Sequence, residues 1–254
     1  MVGSTPARGT INNIMRLITF GDSWVYGVGA EYQDGMSDKE YIEIAQSESK
    51  NCFRQLISNK LGLDNVNLSE GGSSNQAQFR LALETFFGKD KLKWAASDIV
   101  LWGITSVYRT ELWNTEKSAF KTITLPLDPK NPLIAKIIGI HHHSEEEELK
   151  ILGNQMNMWN SYFKANNIKN YWFNLFNDHS WDINIDNFLF KDSSLLSLMI
   201  NDNKINDKYH KSVWRFTDRK IKIAKEMKLV NPISGHPTKK GHEIIADILM
   251  KEIK

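Results

Sequence analysis

Four short, strand-like runs rich in apolar residues constrain this chain more than any other feature. Leu17-Ile18-Thr19-Phe20 stops at Gly21, and Asn65-Val66-Asn67-Leu68 stops just before Gly71-Gly72. Asp98-Ile99-Val100-Leu101-Trp102 stops at Gly103, and Asn170-Tyr171-Trp172-Phe173-Asn174-Leu175-Phe176 is the fourth. A strand that is apolar on successive positions turns hydrophobic groups to both of its faces. Both faces must then be covered, which is the condition of a parallel sheet. Helical spacing fills the gaps between the runs. Phe79, Ala82, Leu83 and Phe86 share a stripe that ends near Gly88. Ser144 and Glu147 form a capping-box pattern ahead of Leu149, Leu152, Met156, Trp159 and Phe163. Ile244, Ile245, Ile248 and Leu249 mark a last helix. Strands alternating with helices predict right-handed βαβ units in a three-layer α/β/α fold with a flavodoxin-like parallel sheet.

The 254 residues are 41% hydrophobic and 24% charged, ordinary globular values that exclude disorder, collagen and coiled coil. No repeat or Pro/Gly/Ser-rich linker divides the chain, so 15–254 reads as one domain. Residues 1–14 read as a leader or cloning remnant, because MRLITFGDSW from Met15 looks like a natural start. Insertions are expected near 114–143 and 177–215. A net charge of +2 leaves no footprint for nucleic acid or an anionic membrane. No run approaches the roughly 18 apolar residues of a membrane span, and no secretory signal is visible, so the reading is cytoplasmic. The single cysteine, Cys52, excludes an intrachain disulfide framework and a cysteine-rich zinc site. No metal or cofactor is expected.

In open α/β sheets the ligand crevice lies at the carboxyl ends of the strands. Ser23, in Phe20-Gly21-Asp22-Ser23-Trp24, sits at such an end as a hydroxyl that a base could activate. The same tripeptide also suits plain turn chemistry. Gly72 could bring a backbone N–H close to a substrate oxygen, and Ser73 or Ser74 could cap the next helix. Thr105 and Ser106 offer hydroxyls after the third strand. Arg109 either pairs with Glu111 or holds an anionic group. His236 precedes Pro237, so it should be extended and outside the last helix, where a base could reach a crevice. His242 reads as a surface or packing residue. Trp24 and Asn75 are further candidates for substrate contact.

Other signals are weaker. His141-His142-His143 lacks helical spacing and a companion ligand cluster, and reads as a solvated loop. Gly27-Val28-Gly29 lacks the third glycine of a dinucleotide loop. No Gly-x-Ser-x-Gly elbow occurs. The eight tryptophans suit core packing as well as sugar stacking.

Gly21-Asp22-Ser23, Gly72, the Gly103 strand end and His236-Pro237 occur in the order of the SGNH (GDSL) hydrolases, and the chain resembles that family from Met15 to Ile253. The resemblance implies ester hydrolysis through an acyl-enzyme, with Ser23 as nucleophile and His236 as general base. It also implies oxyanion donors at the N–H groups of Ser23 and Gly72. Two positions depart from the pattern. Thr105 stands where the family has an asparagine donor, with Asn75 as another possible donor nearby. Ile233 stands where the family has the aspartate that orients the histidine. Asp178 and Asp182 are the acids that could replace it, or a backbone carbonyl could do so in a Ser–His dyad. The expectation is a serine esterase acting on a small acyl ester, such as a carbohydrate O-acetyl group. The alternatives are an O-acyltransferase on the same scaffold and an inactive carbohydrate-binding protein.

Overall fold

The computed structural model describes residues 15–45, 49–89, 92–93, 95–115, 117–124, 144–179, 181–201 and 213–253. The expected leader at 1–14, most of the insertion at 114–143 with His141-His142-His143, and residues 202–212 lie outside them.

Four parallel strands form the sheet. In chain order they are β1 (Arg16–Phe20), β2 (Asp64–Asn67), β3 (Ile99–Ile104) and, after a hairpin, β6 (Lys169–Asn174). Their spatial order is β2-β1-β3-β6. The chain therefore steps from β1 to one side and returns to the other, which puts the β1 exit at the topological switch point of the sheet. The flavodoxin order has a fifth position beyond β6. Residues 187–194 run there, joined to β6 by parallel bridges at Trp172–Phe188 and Asn174–Ser194.

Alternation along each strand builds two cores. Leu17, Leu101, Tyr171 and Phe173 face one side, where they meet Phe53 and Ile57 of α3 (Phe53–Leu61) and Leu195 and Leu196 of α6 (Leu195–Met199). Ile245 and Leu249 of α8 (Lys239–Met250) complete that side. Ile18, Phe20, Val100, Trp102 and Trp172 face the other, against Phe79, Ala82 and Phe86 of α4 (Asn75–Phe87). Leu152, Met156, Trp159 and Phe163 of α5 (Glu145–Ala165) cover the same side. The result is three layers, as the apolar runs require.

Register explains the aromatic core. Phe20 is paired with Trp102 and Trp102 with Trp172 across neighbouring strands. Their rings stack at centroid distances of 4.4 and 4.6 Å. Neighbouring residues on one face of a sheet are held within contact by the strand spacing, so register alone brings these rings together.

Caps fix the helix starts. The Ser74 hydroxyl accepts from Ala77 N–H, Ser144 and Glu147 form a reciprocal capping box, and the Thr238 hydroxyl accepts from Gly241 N–H. A hairpin, β4 (Arg109–Asn114) with β5 (Ala119–Thr124), leads into the expected insertion. Helices α1 (Ser23–Tyr26), α2 (Asp38–Ala45) and α7 (Val213–Glu226) complete the described elements. No described helix is long and apolar enough to cross a membrane.

Candidate active site

Helix α1 starts directly at the end of β1, and two glycines make room for it. A Cβ on Gly21 would lie 2.1 Å from Val25, and one on Gly103 would lie 2.7 Å from the same side chain. Asp22 is the N-cap, its carboxylate accepting from Trp24 N–H at 2.9 Å. Ser23 therefore stands on the first turn, at the carboxyl edge of the sheet. Its N–H, and that of Gly72, have no hydrogen-bond partner among the described residues. Gly72 adopts φ +76°, a conformation that favours glycine, and it is exposed. The loop carrying it is tied to the β1 exit by Glu70 N–H donating to Gly21 O at 3.1 Å.

Arg109 joins three of the strand-end loops. Its Nη1 donates to Asp22 Oδ2 at 2.7 Å, to Thr105 Oγ1 at 3.0 Å and to Ser73 O at 3.4 Å. Thr105 Oγ1 donates to Asp22 Oδ2 at 2.8 Å. Asn75 closes the arrangement from α4. Its Oδ1 accepts from Thr105 N–H and its Nδ2 donates to Thr105 O, both at 3.0 Å. One Nδ2 hydrogen of Asn75 is left over. Asn75 and Arg109 also line a small cleft with Gln76, Val107, Glu148, Ile151, Leu152 and Gln155.

The histidine arrives on a loop of 231–236. An antiparallel bridge between Val230 and Pro237 closes its base. The buried Asn231 side chain pins its interior, donating to His236 O at 3.0 Å and accepting from Ser234 N–H at 2.8 Å. His236 Nε2 lies 2.8 Å from Ser23 Oγ. Burial lowers the His236 pKa to about 4; Arg109 pushes the same way and Asp22 opposes both. The ring is therefore neutral at pH 7, as a proton acceptor must be.

On its other side the ring meets hydroxyls. His236 Nδ1 is 2.6 Å from Ser234 Oγ, which is 2.5 Å from Tyr41 OH. Asn231 Nδ2 donates to Tyr41 OH at 3.2 Å. Burial raises the Tyr41 pKa against the opposing pull of Ser234 and Asn231, so the phenol keeps its proton.

No protein-family model matches the chain, and neither does any curated protein. Solved structures do resemble it. One is a carbohydrate esterase whose active site displays divergent catalytic and non-catalytic binding functions; it is 11% identical over 93% of this chain and 67% of its own, with a TM-score of 0.47. A carbohydrate esterase family 2 enzyme with a carbohydrate binding domain from Corynascus thermopiles is 14% identical, over 98% of this chain and 67% of its own, with a TM-score of 0.44. A member of the lipolytic G-D-S-L family from Veillonella parvula DSM 2008 is 10% identical, over 93% and 97%, with a TM-score of 0.40.

Several candidate residues sit elsewhere than the sequence suggests. Asp178 does not meet His236. It accepts from Ser194 N–H and Ser197 Oγ and pairs with Lys220. Burial alone would raise the Asp178 pKa, but Lys220, Ser194 and Ser197 together lower it, so the carboxylate belongs to that network. Asp182 is exposed and lies in the field of Lys150 on α5. Ile233, half-buried, has no polar side-chain group to offer. The Thr105 hydroxyl commits its single proton to Asp22 and has none left for an oxyanion. Trp24 is a core residue, 4% exposed, tilted against Phe176 at 5.7 Å. Arg109 pairs with Asp22, while Glu111 pairs with Arg80 at 2.9 Å. His242 is fully buried beside Phe53, which confirms packing and excludes the surface; burial lowers its pKa to about 3. Among the described residues no group of three or more His, Cys, Asp or Glu could hold a metal ion.

The Gly27-Val28-Gly29 stretch has a local purpose. Gly27 ends α1 at φ 99°. Gly29, at φ +93°, touches the histidine loop: a Cβ there would lie 2.7 Å from Pro237 O and 2.8 Å from His236 Cβ. Gly29→Ala is expected to destabilise the fold by about 1–3 kcal/mol, since backbone strain and overpacking combine. Urea denaturation checks this; a wild-type stability would mean that the loops do not press together here.

Proposed function

We propose that this chain is a serine esterase, a divergent relative of the SGNH hydrolases, that removes a small acyl group from an ester. The observation that carries the reading is the 2.8 Å approach of His236 Nε2 to Ser23 Oγ, between residues 213 positions apart. His236 takes the Ser23 proton as Oγ attacks the ester carbonyl. The oxyanion rests on the N–H groups of Ser23 and Gly72, and the spare Nδ2 hydrogen of Asn75 supplies the third donor in place of Thr105. Collapse expels the alcohol, which takes its proton from His236. Water then attacks the acyl-enzyme, His236 accepts its proton, and Ser23 leaves with that proton as the acid departs.

The cleft next to Asn75 and Arg109 supports the substrate class. The Gln76 and Gln155 amides in its lining offer both donors and acceptors, which suits a hydroxyl-rich alcohol such as an acetylated sugar.

The pH dependence tests the role of His236. A base must be neutral, and this one becomes so above about pH 4. For p-nitrophenyl acetate, kcat/KM should hold down to about pH 5 and fall tenfold per unit below about pH 4, with circular dichroism checking that the fold persists. An acid limb centred near 6.5, the value of a solvated histidine, would contradict the burial of this ring at the nucleophile.

A further inference from the structure

We propose that Ser234, backed by Tyr41 and Asn231, takes over from the missing carboxylate as the group that orients His236. The inference rests on the Ser23–His236 reading above and adds the means by which the ring is held. Asn231 is oriented by two backbone partners: its Oδ1 accepts from Ser234 N–H and its Nδ2 donates to His236 O. Its second Nδ2 hydrogen goes to Tyr41 OH, so the phenol's own proton is free to point at Ser234 Oγ, 2.5 Å away. Ser234 Oγ donates in turn to Asn231 Oδ1 at 3.1 Å. A hydroxyl has two lone pairs. The Tyr41 proton takes one, and the other faces His236 Nδ1 at 2.6 Å.

In this arrangement every hydrogen has an acceptor, and the ring carries its proton on Nδ1. Nε2 is then a lone pair aimed at Ser23. That is the tautomer which an aspartate secures in the Ser-His-Asp triad. The substitution has a cost. Neutral dipoles replace a full negative charge, so the imidazolium formed during reaction is stabilised less, in keeping with a ring that stays unprotonated when buried.

The test combines kinetics with long-range ¹H–¹⁵N spectra of the His236 ring in the whole protein. Wild type should show Nδ1–H and an unprotonated Nε2 at pH 7. Ser234→Ala should mix the two tautomers and lower kcat for p-nitrophenyl acetate about 30- to 100-fold, with KM within about twofold. Tyr41→Phe should lower kcat about tenfold, and Ser234→Thr, which keeps the hydroxyl, should restore most of the activity. Should Ser234→Ala fail to fold, Tyr41→Phe and Ser234→Thr carry the same readouts. A Ser234→Ala enzyme with wild-type kcat and an unchanged tautomer would overturn the proposal. Loss of the hydrolase reading looks different: wild type and Ser23→Ala would be equally inactive, while the ring spectra would still report whether Ser234 holds the tautomer.

Discussion

Replacing Ser23 by alanine is expected to lower the turnover of p-nitrophenyl acetate by about 10⁴- to 10⁶-fold, the scale on which loss of a serine nucleophile acts elsewhere. The change should leave stability within about 1 kcal/mol, because the Ser23 hydroxyl has little structural duty. Its one described hydrogen bond runs to His236, whereas the cap of α1 is the carboxylate of Asp22. His236→Ala should cost a similar factor. The double variant should cost no more than either single one, since the two groups act as a unit. Additive losses, or a Ser23→Ala protein that still turns over ester at the wild-type rate, would remove the serine from the chemistry.

Arg109→Met is expected to produce the largest loss of stability, about 3 kcal/mol in urea denaturation at pH 7. Asp22 is fully buried, and Arg109 is its ion-pair partner at 2.7 Å. Removing one member of such a pair leaves an uncompensated charge, which costs about 3–5 kcal/mol. The lower end applies because the Arg109 side chain keeps 20% of its exposure to water. The double variant Asp22→Asn/Arg109→Met should recover most of the loss, since asparagine keeps the cap without the charge. The single variant should also lose activity, because Arg109 holds Asp22, Thr105 and Ser73 in one place. Unchanged stability in Arg109→Met would mean that the staple across these loops carries no weight.

The layered fold is legible in the chain because covering both faces of a strand leaves a local mark. Val100, Leu101 and Trp102 are each buried, facing alternate sides of the sheet. Capping is equally local, which is why the Ser144–Glu147 box is visible at a spacing of three residues. Strand ends are less so. The apolar run to Phe176 suggests a longer fourth strand, yet β6 ends at Asn174, whose side chain turns to Lys191 O and Trp181. Helices α2 and α3 fall between β1 and β2, where the mixed sequence gives a weaker stripe.

At the site, glycines and prolines locate loops, whereas side-chain partners depend on tertiary contact. That Ser23 and His236, 2.8 Å apart, come together is what the family resemblance implies. The meeting of Tyr41 with Ser234 is not implied, because 193 residues separate them and nothing local marks the pair. Ser234 itself, two residues before His236, carried a usable signal: it is a hydroxyl next to the vacant acid position at Ile233. Trp24 misleads because an aromatic residue beside a nucleophile suits a binding wall and a helix–sheet contact equally. Thr105 misleads because its position fits a donor, while a buried carboxylate nearby, invisible in the order of residues, claims its only proton.

Ser23 as a nucleophile activated by His236 has a direct chemical signature. Treatment with a fluorophosphonate, followed by intact mass measurement and peptide mapping, tests it most directly. One adduct per wild-type chain is expected, located on Ser23, and none on Ser23→Ala. Equal labelling of both proteins, or an adduct mapped to another residue, would contradict it.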